Sequence, residues 1–421
     1  MIRSAKVETW VLFLYLIAPY GVGVSFIPGV DSFDLVKFSV LSLILISVYN
    51  YRYIRLDTIC KSLLLFSGLY VISFIYSENY LRSSTDIIWF ILTAIPGFFI
   101  TYVLIRGNEK NIISLFKLID IAFLGLSTFA LLEFLLQYNF FDQYRIYTSD
   151  SRFNNQLGTI RTGYKASMGN HASTLPFAYT LTSLFFLRLF LISNKNKTYL
   201  MLSSAVGVLA IICTFSRAAI LTLIIVSVFY LLLEKKNKIL VLCFSVLMIA
   251  IVTMSVPKFI DSNVIENYIE KYINPLSALE KTSADSRLNN NITDLKFGLE
   301  KPIFGRGAGA LYHNKTTADF TLDSSDSSYY ITTFVDRGLM SLSVLLYVTI
   351  ITFRNGFRLI RNSKSNHNYL ALICSFFAVF ICINGSQRIE LLFIFFLLVG
   401  LINQFYYFNK LRNVFHNNSH L

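Results

Sequence analysis

Apolar runs of about 16 to 25 residues recur along this chain, and each can approach or cross a hydrocarbon core about 30 Å thick. Two long polar stretches, 137–170 and 257–329, interrupt them. The runs predict twelve spanning helices, near 9–28, 35–50, 59–76, 86–105, 112–136, 171–192, 198–214, 217–233, 239–256, 330–353, 369–385 and 389–408. The pattern therefore predicts an all-α, polytopic integral membrane protein with a large helical loop between transmembrane helices 9 and 10.

This pattern divides the chain into five parts. They are five N-terminal transmembrane helices (1–136), a first outer loop (137–170), helices 6–9 (171–256), a large outer loop (257–329), and helices 10–12 with a tail (330–421). Within the large loop a helix is predicted to start after Ser283 or Asp285. Its apolar stripe, at spacings of four, three and four residues, is expected to be its buried face; the stripe is Leu288, Ile292, Leu295 and Leu299. Pro302 and the glycine-rich run 305–309 end this helix in a mobile or tightly turned segment.

Composition agrees with a membrane protein. Hydrophobic residues make up 55% of the chain and charged residues 14%, whereas soluble domains are about a quarter charged. The five cysteines lie in apolar segments without metal-ligand spacing, and they are interpreted as small buried hydrophobic residues. A soluble enzyme, a secreted disulfide scaffold and a β-barrel are set aside.

The basic residues predict an orientation. The net charge is +13, and most short-loop Lys and Arg fall in the connections on the side of the N-terminus. The short loops of the other side hold only Lys37, Arg82, Arg217 and Arg388. Both termini are therefore predicted to be cytoplasmic, and both long loops to face out. This rule accounts for the basic residues of the short loops, and nucleic acid is not expected as a partner. Thirteen basic residues in or beside the long loops escape the rule and require another explanation.

Arg217 is the first candidate for chemistry. It stands in Thr214-Phe-Ser-Arg-Ala-Ala219, between two apolar segments with almost no connecting loop. An arginine at the edge of the bilayer is either an interfacial anchor or a clamp for an anion, because its planar fork suits phosphate. A lipid-linked phosphate lies at that depth, and Ser216 would stand beside it.

Two further arginines fall in the outer loops. Arg287 precedes the predicted stripe by one position, with Asn291 and Asp294 four and seven residues on; pairing with Asp294 or Glu280 is the structural alternative. Arg161 comes shortly before the sixth spanning segment, where a solvated loop charge is the simpler interpretation.

Asp326 comes directly before the tenth helix. It is either an N-cap or a carboxylate that orients or deprotonates a sugar hydroxyl, and the two roles are compatible. His171 and His313 are the outward-facing histidines; a structural role is the simpler reading of each, and they are not spaced as a metal pair. Asp336 and Arg337 are expected to belong to a polar interior, because a charge pair facing lipid is improbable.

Together these segments resemble the O-antigen ligase/polymerase superfamily of membrane proteins. Ser216-Arg-Ala-Ala219 is similar to a motif that opens the eighth helix of the family. Arg287 leads a helix into Pro302-Ile-Phe-Gly-Arg-Gly307, and Arg161 to Leu175 resembles the family's approach to the sixth helix. Ligases of the family carry His-Asn before the tenth helix, where this chain has Asp326-Ser-Ser-Tyr329, a form similar to that of O-antigen polymerases.

The resemblance implies a metal-independent inverting glycosyltransferase without a cofactor, in the inner membrane of a bacterium with its active site at the periplasmic face. Its partners would be an undecaprenyl-pyrophosphate-linked oligosaccharide donor and acceptor, membrane lipid, and a chain-length regulator. The implied catalytic residues are Arg217, Arg287, Asp326 and Arg161; those implied to bind substrate are Ser216, His171, Arg306, Tyr329 and Arg337. A ligase that transfers polymer to lipid A core is the nearest alternative. A transporter or flippase is a more distant one, since the halves show no symmetry and the polar residues cluster at the outer face.

Overall fold

The computed structural model describes most of the chain. The described residues are 7–17, 35–77, 80–104, 109–136, 174–191, 197–214, 216–233, 283–311, 328–362, 366–385 and 389–418. The predicted helix 239–256 and most of both predicted outer loops lie outside them. Within these ranges the chain forms α-helices joined by short 3-10 turns and connections.

The helices follow one another in a simple order. They are α1 (Val7–Ile17), α2 (Leu35–Tyr49), α3 (Thr58–Ile72), α4 (Tyr80–Leu104), α5 (Glu109–Leu136), α6 (Thr174–Arg188), α7 (Lys197–Cys213), α8 (Arg217–Leu233), α9 (Ser283–Leu299), α10 (Tyr329–Asn362), α11 (Asn366–Gly385) and α12 (Ile389–Asn418). Every predicted span except 239–256 overlaps one of them. The loop helix predicted after Ser283 or Asp285 is α9.

Length and composition support membrane insertion. Among the residues that the structure describes, five apolar stretches are long enough to cross a bilayer: Thr58–Tyr76, Asp86–Leu104, Ile113–Leu136, Tyr329–Arg361 and Leu391–Asn409. The same residues include four shorter apolar helices: Phe38–Tyr49, Met201–Cys213, Ala218–Leu233 and Asn368–Asn384. The protein is an all-α membrane protein, and twelve crossings stay a prediction.

The core is built on α11 and α12, whose side chains are buried over most of their length. Small residues bring α12 close to α4. A Cβ added to Gly400 would lie 2.4 Å from Thr101 Oγ1, and one added to Gly97 would lie 2.9 Å from the Phe393 carbonyl oxygen. Such close backbone approach is how spanning helices gain packing energy, because lipid gives them no hydrophobic drive to associate.

Two carboxylates, the partly buried Asp57 and the buried Asp120, join helices at the end of the bundle predicted to be cytoplasmic. Asp57 caps α3 by accepting from the Cys60 amide at 2.8 Å, and it also accepts from the Tyr102 hydroxyl at 2.8 Å. Asp120 of α5 lies 3.2 Å from Arg188 Nε and accepts from the Tyr199 hydroxyl at 2.9 Å. Arg188, the last residue of α6, is therefore buried between α5, α6 and α7.

The packing of α9 differs from the sequence prediction. Ile292, Leu295 and Leu299 are exposed, whereas Asp294 and Gly298 are buried against α10. A Cβ on Gly298 would lie 2.8 Å from the Phe334 ring. The expected buried stripe was thus wrong for these three positions. The prediction assumed that the apolar residues of a loop helix face the protein core, whereas here Asp294 and Gly298 do.

Candidate active site

Helix α10 is broken at Gly338, and the turn that follows α9 fills the break. The Leu339 amide donates to the Pro302 carbonyl at 2.8 Å instead of to a carbonyl of its own helix. In exchange, the Arg306 amide donates to the Val335 carbonyl at 2.9 Å and the Gly307 amide to the Asp336 carbonyl at 2.8 Å. Backbone groups freed by the break therefore find partners in the turn, as a low-dielectric environment requires.

Glycine is required where the two segments cross. Gly338 has φ 72° and Gly305 has φ 76°, in the left-handed region that other residues rarely adopt. A Cβ on Gly338 would lie 2.1 Å from the Ile303 carbonyl oxygen, and one on Gly305 would lie 2.4 Å from the Arg337 amide nitrogen. The glycine-rich run is thus a tight turn, one of the two alternatives that the sequence left open.

Asp336 fixes the far end of the turn. Its side chain is buried, with one oxygen accepting from the Gly309 amide at 3.1 Å and the other from the Leu311 amide at 3.0 Å. A carboxylate that accepts two backbone donors compensates part of its burial cost. Asp336 lies in a polar interior, as expected, and its partners are the amides of the turn.

Arg337 is engaged within the protein. Its guanidinium is fully buried, and Nη2 donates to Asp86 Oδ2 at 2.9 Å while Nη1 lies 3.4 Å from Thr333 Oγ1. The same guanidinium lies 3.4 Å from the ring centroid of Tyr70, whose hydroxyl donates to Asp86 Oδ2 at 2.9 Å. This group of residues, which we call the Asp86 cluster, ties α10 to α3 and α4. Substrate binding by Arg337 stays a prediction.

Arg306 closes the end of α9. Its Nε donates to the Phe297 carbonyl at 2.9 Å, its guanidinium pairs with Glu300, and it lies over the Phe297 ring. Phe297 belongs to the last turn of α9, where carbonyls lack helical partners and a cation is favourable. Arg306 thus caps a helix, and its predicted contact with substrate is untested.

The Ser216-Arg217 motif begins α8. Ser216 is buried and acts as the N-cap, because its hydroxyl oxygen lies 3.4 Å from the Ala219 amide. Arg217 is the first residue of the helix. Helix α8 packs on α11, whose Asn384 accepts from the Ser328 hydroxyl at 3.0 Å at the start of α10. The backbone of Arg217 therefore lies at the same end of the bundle as the start of α10.

Arg287 occupies a defined position on α9. It precedes Asn291, Asp294 and Gly298 by four, seven and eleven residues, and Asp294 and Gly298 are buried against α10. At 100° per residue these four positions share one side of the helix. The helix position of Arg287 is therefore on the same side of α9 as those of Asp294 and Gly298.

The remaining candidates are distributed as follows. Tyr329 is fully buried at the start of α10, in an edge contact with Tyr330, and its binding of substrate stays a prediction. Asp326, Arg161 and His171 lie outside the described residues. The structure brings Ser216, Arg217, Arg306, Tyr329 and Arg337 to one end of the bundle, with α9 beside them.

Sequence reasoning missed Asp86 and Tyr70. Asp86 follows Arg82 at the start of a predicted span, and one acidic residue at a helix entrance is usually solvated. The signal that could have found it is Arg337 itself, since an arginine in a spanning segment requires a partner.

Part of the chain is similar to a known protein family. Residues 202–346 match the family model described as O-antigen ligase, a range that begins in α7, includes α8 and α9, and ends in α10. This match, over about a third of the chain, supports a relation to the O-antigen ligase/polymerase superfamily. A search of curated proteins gave no match. The matched range contains most of the candidate residues, among them Arg217, Arg287, Arg306, Asp326 and Arg337.

Proposed function

We propose that this protein is an O-antigen polymerase, a glycosyltransferase that joins lipid-linked oligosaccharide repeat units at the periplasmic face of the inner membrane. One observation carries the choice of polymerase: Asp326-Ser-Ser-Tyr329 stands where ligases of the family have His-Asn. The membrane fold and the superfamily domain support the broader class of enzyme.

The proposed reaction moves a growing sugar chain from one undecaprenyl pyrophosphate to the non-reducing end of another repeat unit. A hydroxyl of the acceptor attacks C1 of the donor sugar, and the bond from C1 to the diphosphate oxygen breaks. The electron pair of that bond stays on the diphosphate, and the hydroxyl proton passes to Asp326. Attack from the face opposite the leaving group inverts the anomeric carbon.

The arginines are proposed to stabilise the leaving group. As C1 separates from the diphosphate, negative charge grows on phosphate oxygens, and fixed guanidinium groups lower the barrier without reorganising water. The helices that carry these arginines support the proposal, because α9, with Arg287, packs on α10, and α8, which begins at Arg217, packs on α11. Arg161 would assist them.

The surface polysaccharide of a strain lacking the gene tests this function. We expect lipid A core that carries a single repeat unit, because flipping and ligation continue while joining of repeats stops. The measurement is an electrophoretic profile beside that of a complemented strain. Free core together with long lipid-linked polymer would instead establish a ligase, the candidate that the family model's description favours. An unchanged profile would contradict both and direct attention to another polysaccharide or to transport.

Arg217 tests the mechanism. Arg217→Ala is expected to lower polymerisation on the order of a hundredfold, the usual effect of removing one donor to a developing oxyanion. Arg217→Lys keeps the charge but loses the two-pronged geometry, so it should recover only part of the activity. Polymer length and amount are measured by electrophoresis at matched expression. The control is Arg354→Ala, which removes an exposed arginine from the C-terminal half of α10, away from the candidate site. Full activity in Arg217→Ala would refute the clamp.

Partners and orientation follow from the same proposal. The donor and acceptor are undecaprenyl-pyrophosphate-linked oligosaccharides, both termini are cytoplasmic, and a chain-length regulator sets the number of repeats. Protease accessibility of a C-terminal tag in inverted and right-side-out vesicles checks the orientation.

A further inference from the structure

Helix α9 presents three different sides. Asp294 and Gly298 face the bundle and are buried. Beside this buried side, around the helix axis, lies an apolar flank. Its members are exposed by 42% for Ile292, 40% for Leu295 and 63% for Leu299. Beyond it lies an exposed polar flank formed by Thr293, Lys296 and Glu300. A helix in water beside a bundle has no reason to separate its exposed surface into an apolar and a polar half.

The apolar flank continues into the following turn. Ile303 and Phe304 are also exposed, at 54% and 44%. Phe304 stacks on Tyr76, at the end of the 3-10 turn after α3, with ring centroids 5.7 Å apart. Exposed aromatic rings that stack at the end of spanning helices are typical of the membrane–water interface.

The same turn is joined to the lipid-facing surface of α10. Since Leu339 and Met340 donate their amides to the turn at Pro302 and Ile303, their exposed side chains lie beside the apolar flank. From there an exposed apolar stripe follows α10 to Phe357; its members are Leu339, Met340, Leu346, Tyr347, Ile350 and Phe357.

The length of this stripe indicates its depth. Eighteen residues of helix separate Leu339 from Phe357, which is about 27 Å at 1.5 Å per residue. That is close to the hydrocarbon core of a bilayer, about 30 Å. The exposed Arg358 and Arg361 follow Phe357 directly and mark the other boundary, and the long side chain of Arg354, one turn earlier, can reach it. Leu339 therefore lies at the boundary on the side of the candidate site.

We propose that α9 is an interfacial helix, and that lipid acyl chains of the leaflet beside the site cover its apolar flank (Ile292, Leu295, Leu299, Ile303 and Phe304). The polar flank then faces water and headgroups, as in helices that lie in the plane of a membrane surface. The occupant is lipid because the flank is continuous with the lipid-facing stripe of α10. The bundle side, with Asp294 and Gly298, is thereby held at headgroup depth, whichever reaction the site performs.

Fluorescence of a single tryptophan tests the proposal. The chain has two tryptophans, so Trp10→Phe and Trp89→Phe together give a background without tryptophan emission. Leu295→Trp places the probe on the apolar flank, and Thr293→Trp is the matched control on the polar flank of the same helix. The full chain is reconstituted into phosphatidylcholine vesicles, with and without lipid brominated in its acyl chains. Ile292→Trp repeats the apolar measurement if Leu295→Trp does not give monodisperse protein.

We expect blue-shifted emission from Leu295→Trp that is lost in brominated lipid, and red-shifted emission from Thr293→Trp that is lost on adding aqueous iodide. Blue-shifted emission at position 295 without quenching by bromine would mean that protein covers the flank, either another segment of the chain or a partner. Quenching of both positions by iodide would mean that the flank faces water. Either result would overturn the proposal.

Discussion

Gly338→Ala is expected to abolish or severely weaken the fold. Alanine would have to adopt φ 72°, and its Cβ would lie 2.1 Å from the Ile303 carbonyl oxygen, a backbone atom that cannot move alone. Relief of that clash would separate α10 from the turn. The backbone hydrogen bonds that join them would then break: those from the amides of Leu339, Arg306 and Gly307 to the carbonyls of Pro302, Val335 and Asp336. We expect a loss of more than about 4 kcal/mol in the free energy of unfolding, a size that single substitutions reach only through such mechanisms.

The measurement is the yield of monodisperse protein in detergent and its thermal unfolding, followed by helical circular dichroism. Gly125→Ala is the matched control, because Gly125 is in helix α5 and a Cβ there would meet no atom within 4 Å. That control should be neutral or gain up to about 1 kcal/mol. Equal stability of the two variants would refute the argument that turn and helix interlock through Gly338.

Hydrophobic runs were enough to predict most of the helices. A run of apolar residues in this chain, such as 389–408, has few alternatives to a spanning helix, since no other element satisfies its backbone inside a bilayer. The loop helix was also predicted well, at about 285–300 against Ser283–Leu299, because its spacing and the following Pro302 are local signals.

Three features could not be predicted from local patterns. The side of α9 was assigned from hydrophobicity, but beside lipid an apolar flank can be the exposed one. The break at Gly338 depends on a turn more than thirty residues earlier in the chain, and glycine alone does not reveal a partner. The pairing of Arg337 with Asp86 joins residues 251 positions apart. Long-range pairing requires the fold, whereas helix formation does not.

Among the candidate residues, a shared neighbourhood was predictable and individual roles were not. The order of the motifs placed Ser216, Arg217 and Tyr329 near the same face of the membrane. The contacts in the structure then show what individual candidates do within the fold: Ser216 caps α8, Arg306 caps α9, and Arg337 holds α10 to α4. Polar residues in a bundle serve both packing and chemistry, and residue type alone does not separate the two uses.

The Asp86 cluster predicts an asymmetry between its two charged members. The Arg337 side chain is fully buried, whereas that of Asp86 is 25% exposed. Asp86→Asn would leave a buried guanidinium without its counter-charge, which is expected to cost about 3–5 kcal/mol. Arg337→Met would leave a carboxylate that can reach water and still accepts from Tyr70, so we expect a smaller cost of about 1–3 kcal/mol.

Unfolding in a titration with sodium dodecyl sulfate measures both free energies in detergent. The double variant Asp86→Asn with Arg337→Met should be more stable than Asp86→Asn alone, because the unpaired charge is removed as well. Asp120 gives a matched comparison at the opposite end of the bundle, since it pairs with Arg188 and Tyr199 and both charged side chains are buried. At that end, Asp120→Asn and Arg188→Met should lower the free energy of unfolding by similar amounts, because the charged residue that remains in either variant is buried. If Arg337→Met proved more damaging than Asp86→Asn, exposure would not govern the cost, and the cluster would depend on the cation–aromatic contact with Tyr70 instead.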